Sequence, residues 1–228
     1  KLSMTFILIG LVLYTLPIVV FNYVLNKYDN ILDNMPYTAE EFGRTILDEL
    51  GIKDVEIEPT GAGDHYDPDK KKIRIKNYRL NRKSITALSI ITHEIGHAIQ
   101  DHEDYAPLNR RQKILKGTTW ISRLAGGIMY IGIGPIIATG MIPLVKLSAL
   151  IILSSILISL ILHVITLDVE FDASYKRALP LLREKIPENY HSQCNRVLTA
   201  AAFTYVVGSL ASFLSLRYAW AIIQRVFR

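Results

Sequence analysis

Two histidines four residues apart, with a glutamate directly after the first, make His93-Glu94-Ile95-Gly96-His97 the stretch with the most definite chemistry in this chain. On a helix, residues i and i+4 share a face, so the imidazoles of His93 and His97 can close on one tetrahedral zinc ion. Glu94 then projects beside them. There it can accept a proton from a water whose pKa the metal lowers towards ~7. This is the signature of a zinc hydrolase, and one zinc ion per chain is expected. A lone cysteine, Cys194, excludes a Cys-rich site and an intrachain disulfide framework, which leaves histidine and carboxylate as ligands.

A hydrolytic zinc needs a third protein ligand and keeps its fourth position for water. The metzincin continuation would place glycine and histidine where this chain has Gln100 and Glu103, so that class is rejected. The better source is Val169-Glu170-Phe171-Asp172-Ala173-Ser174, with Glu170 as the ligand. Asp168 and Asp172 compete with it, either as ligands or by orienting a ligand histidine, and Asp101 is a weaker alternative.

The elements that must position these groups can be read from local pattern. Asn81 to Ser84 offers N-caps for the helix carrying His93 and His97, which ends near Asp101. Its apolar run is short for a membrane span, so the zinc is expected at or above a membrane surface. Thr38 and Glu41 form a capping box that opens an amphipathic helix closed by Gly51. Val55 and Ile57, then Ile73 and Ile75, alternate with charged residues and predict two short strands, either a cover for the zinc helix or an edge to which a peptide adds. His65 falls in the turn between them.

Half of the 228 residues are hydrophobic and the mean hydropathy is positive, too apolar for an ordinary soluble domain. Four runs are read as spans: 4–25, kept as an anchor instead of being cleaved as a signal; 124–142, glycine-rich; 147–165; and 197–216. The second and third form a hairpin turning at Pro143 and Lys146, with the glycines allowing close helix packing. Arg110, Arg111, Lys113 and Lys116 precede that hairpin, and Lys176, Arg177, Arg183, Lys185 and Arg196 follow it. The positive-inside rule therefore puts 26–117, the catalytic loop, and 166–196, the third-ligand segment, in the cytosol. The basic residues lie beside apolar segments without interleaved aromatics, so a lipid bilayer is the expected partner and nucleic acid is not.

Three segments, His93-Glu94-Ile95-Gly96-His97-Ala98-Ile99-Gln100, Asp64-His65-Tyr66-Asp67-Pro68 and Val169-Glu170-Phe171-Asp172-Ala173-Ser174, resemble the membrane zinc metallopeptidase family typified by YugP. The resemblance covers nearly the whole chain and implies a bacterial membrane peptidase acting on peptide or protein substrates. Its last segment is also similar to the Glu-Phe-x-Ala-Asp segment of HtpX-type membrane gluzincins, which implies Glu170 as ligand. Ser174 stands where those proteins carry aspartate, so the orienting role passes to Asp172 in this reading. His163, seven residues before Glu170, is a further candidate inside a span. For oxyanion stabilisation, Arg177, Tyr175, His191 and Tyr205 stay open.

The expectation is thus a mostly α integral membrane protein of about four transmembrane helices with a small α+β gluzincin-like region. Its expected activity is that of a zinc-dependent endopeptidase with Glu94 as general base. A membrane scaffold with a structural zinc, and a zinc hydrolase of non-peptide amides, are the alternatives.

Overall fold

The computed structural model describes residues 2–204 together with 206 and 207. Helix α1, Leu2–Lys27, is an apolar rod that runs through Pro17 and exposes Val12, Leu16, Ile18 and Val19. Helix α2, Ala39–Glu49, begins on the expected capping box: the Thr38 backbone donates to Glu41 Oε2 at 2.8 Å and the Glu41 backbone donates to Thr38 Oγ1 at 3.3 Å. One face of α2, with Phe42, Ile46 and Leu47, is buried in the core.

Three strands follow where two were expected. Strand β1, Glu56–Thr60, pairs parallel with β3, Lys72–Lys76; between them in sequence, β2, His65–Asp67, pairs antiparallel with β3, so the sheet order is β1-β3-β2. Ile57, Ile73 and Ile75 form the buried face, which is the alternation visible in the sequence. His65 is therefore a strand residue opposite Arg74 and not part of a turn. A three-residue strand of half-buried polar side chains has no alternation to betray it.

Helix α3, Asn77–Leu80, leads into α4, Ile85–His102, which carries the His-Glu-x-x-His motif and is capped by Ser84, whose Oγ accepts from the Ala87 backbone at 3.1 Å. The same hydroxyl donates to Asp29 Oδ1 at 2.6 Å, tying the cap to the segment that leaves α1. Of the 18 residues of α4, 15 are buried, so it is the central element of the hydrophobic core.

Helix α5, Ala106–Gly127, continues through a π-helical turn, Ile128–Gly132, into α6, Ile133–Ala138. After a turn at Gly140, whose φ of 64° suits glycine, α7 runs from Ile142 to Phe171 and packs against α5. The hairpin turn thus lies before Pro143 and Lys146, both inside the first turns of α7, because proline is well suited to a helix start. The spacing of the glycines also has a different outcome from the one expected. A Cβ added at Gly126, Gly127 or Gly134 would meet nothing within 4 Å, so these glycines do not serve close packing among the described residues.

A second π-helical segment, Asp172–Ala178, joins α7 to α8, Leu179–Lys185, and a helical run follows at 191–204. The fold is mostly helical with a small sheet. Among the described residues, one continuous helical stretch, Ile142–Lys185, is long and apolar enough to cross a membrane by length and composition. Half of the expected fourth span, 197–216, lies outside the described residues.

Candidate metal centre

The site begins with a backbone contact. Gly96 sits between the two histidines of α4, and a Cβ there would lie 2.6 Å from the carbonyl oxygen of Ala173. Only glycine lets the π-helical segment lie directly against α4 at this point, and that approach carries the end of α7 beneath the histidines. His93, His97 and Glu170 consequently meet: one ligand atom from each lies within 4.8 Å of the others, and all three residues are buried. The imidazole rings stand nearly perpendicular, 81° apart.

Glu170 Oε2 lies 3.1 Å from His93 Nε2 and 3.4 Å from His97 Nε2. It is fully buried, yet neither approach has hydrogen-bond geometry. Metal bonds of about 2.0–2.1 Å at the tetrahedral angle separate ligand atoms by roughly 3.3 Å, so the spacing and the orphaned oxygen both fit a shared cation. An imidazole–imidazole–carboxylate donor set suits zinc.

The far side of each imidazole is held. His97 Nδ1 lies 3.0 Å from Gln100 Oε1, and Gln100 Nε2 donates to Val169 O at 2.8 Å and to Asp172 Oδ2 at 2.9 Å. Two acceptors around the amide nitrogen fix which way Gln100 faces, so its oxygen must accept from His97 Nδ1–H. That tautomer directs the Nε2 lone pair at the cation site. Asp172 is steadied in turn by Arg177, whose Nε donates to it at 2.6 Å while Nη1 reaches Glu103 at 2.8 Å. His93 Nδ1 is met by Ser174 Oγ at 3.1 Å. The orienting role expected of Asp172 is therefore divided: Ser174 serves His93 directly, and Asp172 reaches His97 only through Gln100.

Burial disfavours the charged form of His97, but the carboxylates of Glu170 and Glu94 outweigh it and lift its pKa to about 9, so this centre favours positive charge. Glu94 is buried beside the histidines. Burial pushes its carboxyl above the usual range, against the downward pull of His93 and His97.

Other candidates are engaged elsewhere. Asp168 is exposed. Asp101 accepts from Tyr66 and Lys71, both at 2.6 Å, and so fastens the sheet to the end of α4. His163 Nδ1 lies 2.7 Å from Ser159 O along α7. Among the oxyanion candidates, Arg177 is bound as described, Tyr175 donates to Thr199 at 2.8 Å, and His191 donates to Ile186 O at 2.8 Å. Tyr205 lies outside the described residues. Sequence reasoning missed Gln100, although its position three residues after His97 places both on one helix face.

Residues 3–224 match a family described as "Putative neutral zinc metallopeptidase". Among curated proteins, the chain is 36% identical over 195 residues to one from Bacillus subtilis (strain 168) named "Putative membrane protease YugP", covering 83% of this chain and 82% of that protein. No solved structure matches.

Proposed function

Since the chain belongs to the zinc metallopeptidase family whose profile spans it, we propose that it is a zinc-dependent membrane endopeptidase. In this reading His93, His97 and Glu170 hold one zinc ion and Glu94 is the general base. The observation that carries it is the convergence of three buried ligand atoms from α4 and α7, with a buried carboxylate next to them. When bound, zinc supplies a Lewis acid for the scissile carbonyl and lowers the pKa of water. Glu94 takes a proton from the attacking water and delivers it to the amide nitrogen, whose bond to the carbonyl carbon then breaks. A carboxylate with a raised pKa suits both halves of that transfer. The edge of β2 beside α4, unpaired among the described residues, offers an extended peptide a strand to join.

The membrane part of the proposal comprises four spanning helices with the catalytic side in the cytosol. It is supported by the apolar α1 and α7, by the basic residues flanking the hairpin, and by the relative's name. The test is Glu94→Gln. Amide and carboxylate are nearly equal in size, so the variant is expected to keep its zinc and thermal midpoint while peptide cleavage falls roughly 10²–10⁴-fold. Cleavage by the zinc-loaded variant at the wild-type rate removes Glu94 from the mechanism. Absence of peptide hydrolysis by zinc-loaded wild type, assayed on a mixed peptide library in detergent, overturns the peptidase reading.

A further inference from the structure

A cavity of about 280 Å³ opens beside His93 and Glu94. Its apolar lining comes from Phe21 and Leu25 of α1, Ile90 of α4, and Leu198 of the helical run 191–204. Three charged residues that the zinc chemistry leaves unused, Asp64, Lys76 and Arg79, also line it. Arg79 follows β3 on the short α3 and is only 5% exposed. Burying a guanidinium is costly unless its donors are paired, and among the described residues Nε has no partner. Nη1 is bound by Asp64 Oδ2, the ring of Tyr78 lies 5.2 Å from Cζ, and Nε is fully buried without a hydrogen-bond partner among the described residues. Among the described residues, the carboxylate that binds this guanidinium is that of Asp64.

Asp64 is itself fixed. Its Oδ1 accepts the Lys76 backbone N–H at 2.7 Å, so the carboxylate is anchored to the end of β3 and in turn holds Arg79 in place. The pair is close to the reacting centre, since Asp64 and Arg79 line the same cavity as His93 and Glu94. Asp64 also opens the Asp64-His65-Tyr66-Asp67-Pro68 segment, to which the proposed metal chemistry gives no task.

We propose that Arg79, positioned by Asp64, is a substrate-binding residue that donates hydrogen bonds to a backbone oxygen of the peptide in the cavity beside Glu94, while the apolar wall receives a neighbouring apolar side chain. This rests on the peptidase reading. A planar, permanently charged donor suits a carbonyl or carboxylate oxygen, and a partly enclosed apolar setting strengthens that contact. The oxygen belongs either to an internal peptide carbonyl or to a free C-terminal carboxylate.

The experiment uses the full zinc-loaded chain in detergent and compares wild type with Arg79→Gln, Arg79→Lys and Asp64→Asn. Zinc content and thermal midpoint are measured first, then KM and kcat on the cleaved peptides. Arg79→Gln is expected to raise KM roughly tenfold to a hundredfold, as for a lost hydrogen bond to a charged group, with kcat changed far less. Arg79→Lys should recover part of the loss, and Asp64→Asn should raise KM by a smaller factor. A second arm needs no turnover: in the Glu94→Gln background, binding of a fluorescein-labelled leucine-rich peptide is followed by anisotropy, with its C terminus free or amidated. A loss on Arg79→Gln restricted to the free acid assigns the oxygen to the terminal carboxylate, and an equal loss for both forms assigns it to an internal carbonyl. Unchanged KM and unchanged peptide binding in a folded, zinc-loaded Arg79→Gln overturn the proposal and make the ion pair purely structural. Should Arg79→Gln fail to fold, Arg79→Lys decides, a raised KM supporting the proposal and a wild-type KM overturning it. Failure of wild type to cleave any peptide counts against the peptidase reading, whereas Arg79-dependent binding is read separately in the second arm.

Discussion

Helices α4 and α7 are both rich in isoleucine and leucine, yet they bury opposite things. In α4, 15 of 18 residues are buried, and its apolar side chains face the protein core. In α7 only Ser148, Thr166, Val169 and Glu170 are buried out of 30 residues, while Leu147, Leu150, Leu157, Ile161 and Val164 are exposed. Ser148 and Thr166 turned inward and leucines turned outward are the pattern of a candidate membrane span. Composition alone does not separate the two. What separates them is length and charge: α4 ends in a charged cluster after a run too short to span, whereas α7 continues without a charge from Leu147 to Leu167. At the far end of α7 the two meet, and the candidate metal centre is the junction.

The comparison is broken most severely at that junction. His93→Ala or Glu170→Ala is expected to abolish stoichiometric zinc, measured by elemental analysis of the purified chain. Full occupancy in Glu170→Ala would detach α7 from the centre. Topology gives an equally sharp contrast: in intact cells, a cysteine near Arg110 should be protected from a membrane-impermeant thiol reagent and one near Lys146 should react. The reverse pattern would invert the chain in the membrane. A smaller effect is expected from Gln100→Ala, which frees His97 Nδ1 and unties Asp172; loss of such an orienting partner weakens metal affinity roughly 10–100-fold, readable by competition with a chelator. Smallest is the glycine pair. Gly96→Ala drives a methyl into Ala173 O and should cost about 1–3 kcal/mol, lowering the thermal midpoint, while Gly126→Ala, with open space around it, should cost nothing.

Much of the catalytic half was legible because its signals are local. The His93–His97 spacing, the Ser84 cap, the Thr38–Glu41 box and the alternation at Ile57, Ile73 and Ile75 are each written within a few residues. What escaped reading is non-local or lacks a pattern. Gln100 and Asp172 are 72 residues apart, and nothing in either neighbourhood announces their hydrogen bond. Ser174 departs from the residue type expected at its place, yet its hydroxyl still reaches His93. Asp64 and Arg79, 15 residues apart, join at the end of the β2–β3 pair, and the cavity they border needs α1 and the 191–204 run as well. The hairpin turn was misplaced because Pro143 marks a helix start as readily as a turn.

From Ile142 to Glu170, α7 is one unbroken helix with neither glycine nor proline after Pro143. At about 1.5 Å per residue, this is a rod of about 42 Å with a candidate metal ligand at one end and no hinge along its length. A stiff rod conveys an axial shift undiminished. In the proposed membrane setting, a bilayer that thickens or thins so as to slide α7 by a single residue rise would therefore move Glu170 by about 1.5 Å against α4. That is a large fraction of a metal–ligand bond, so in that setting the depth at which this helix rests would govern the closure of the centre.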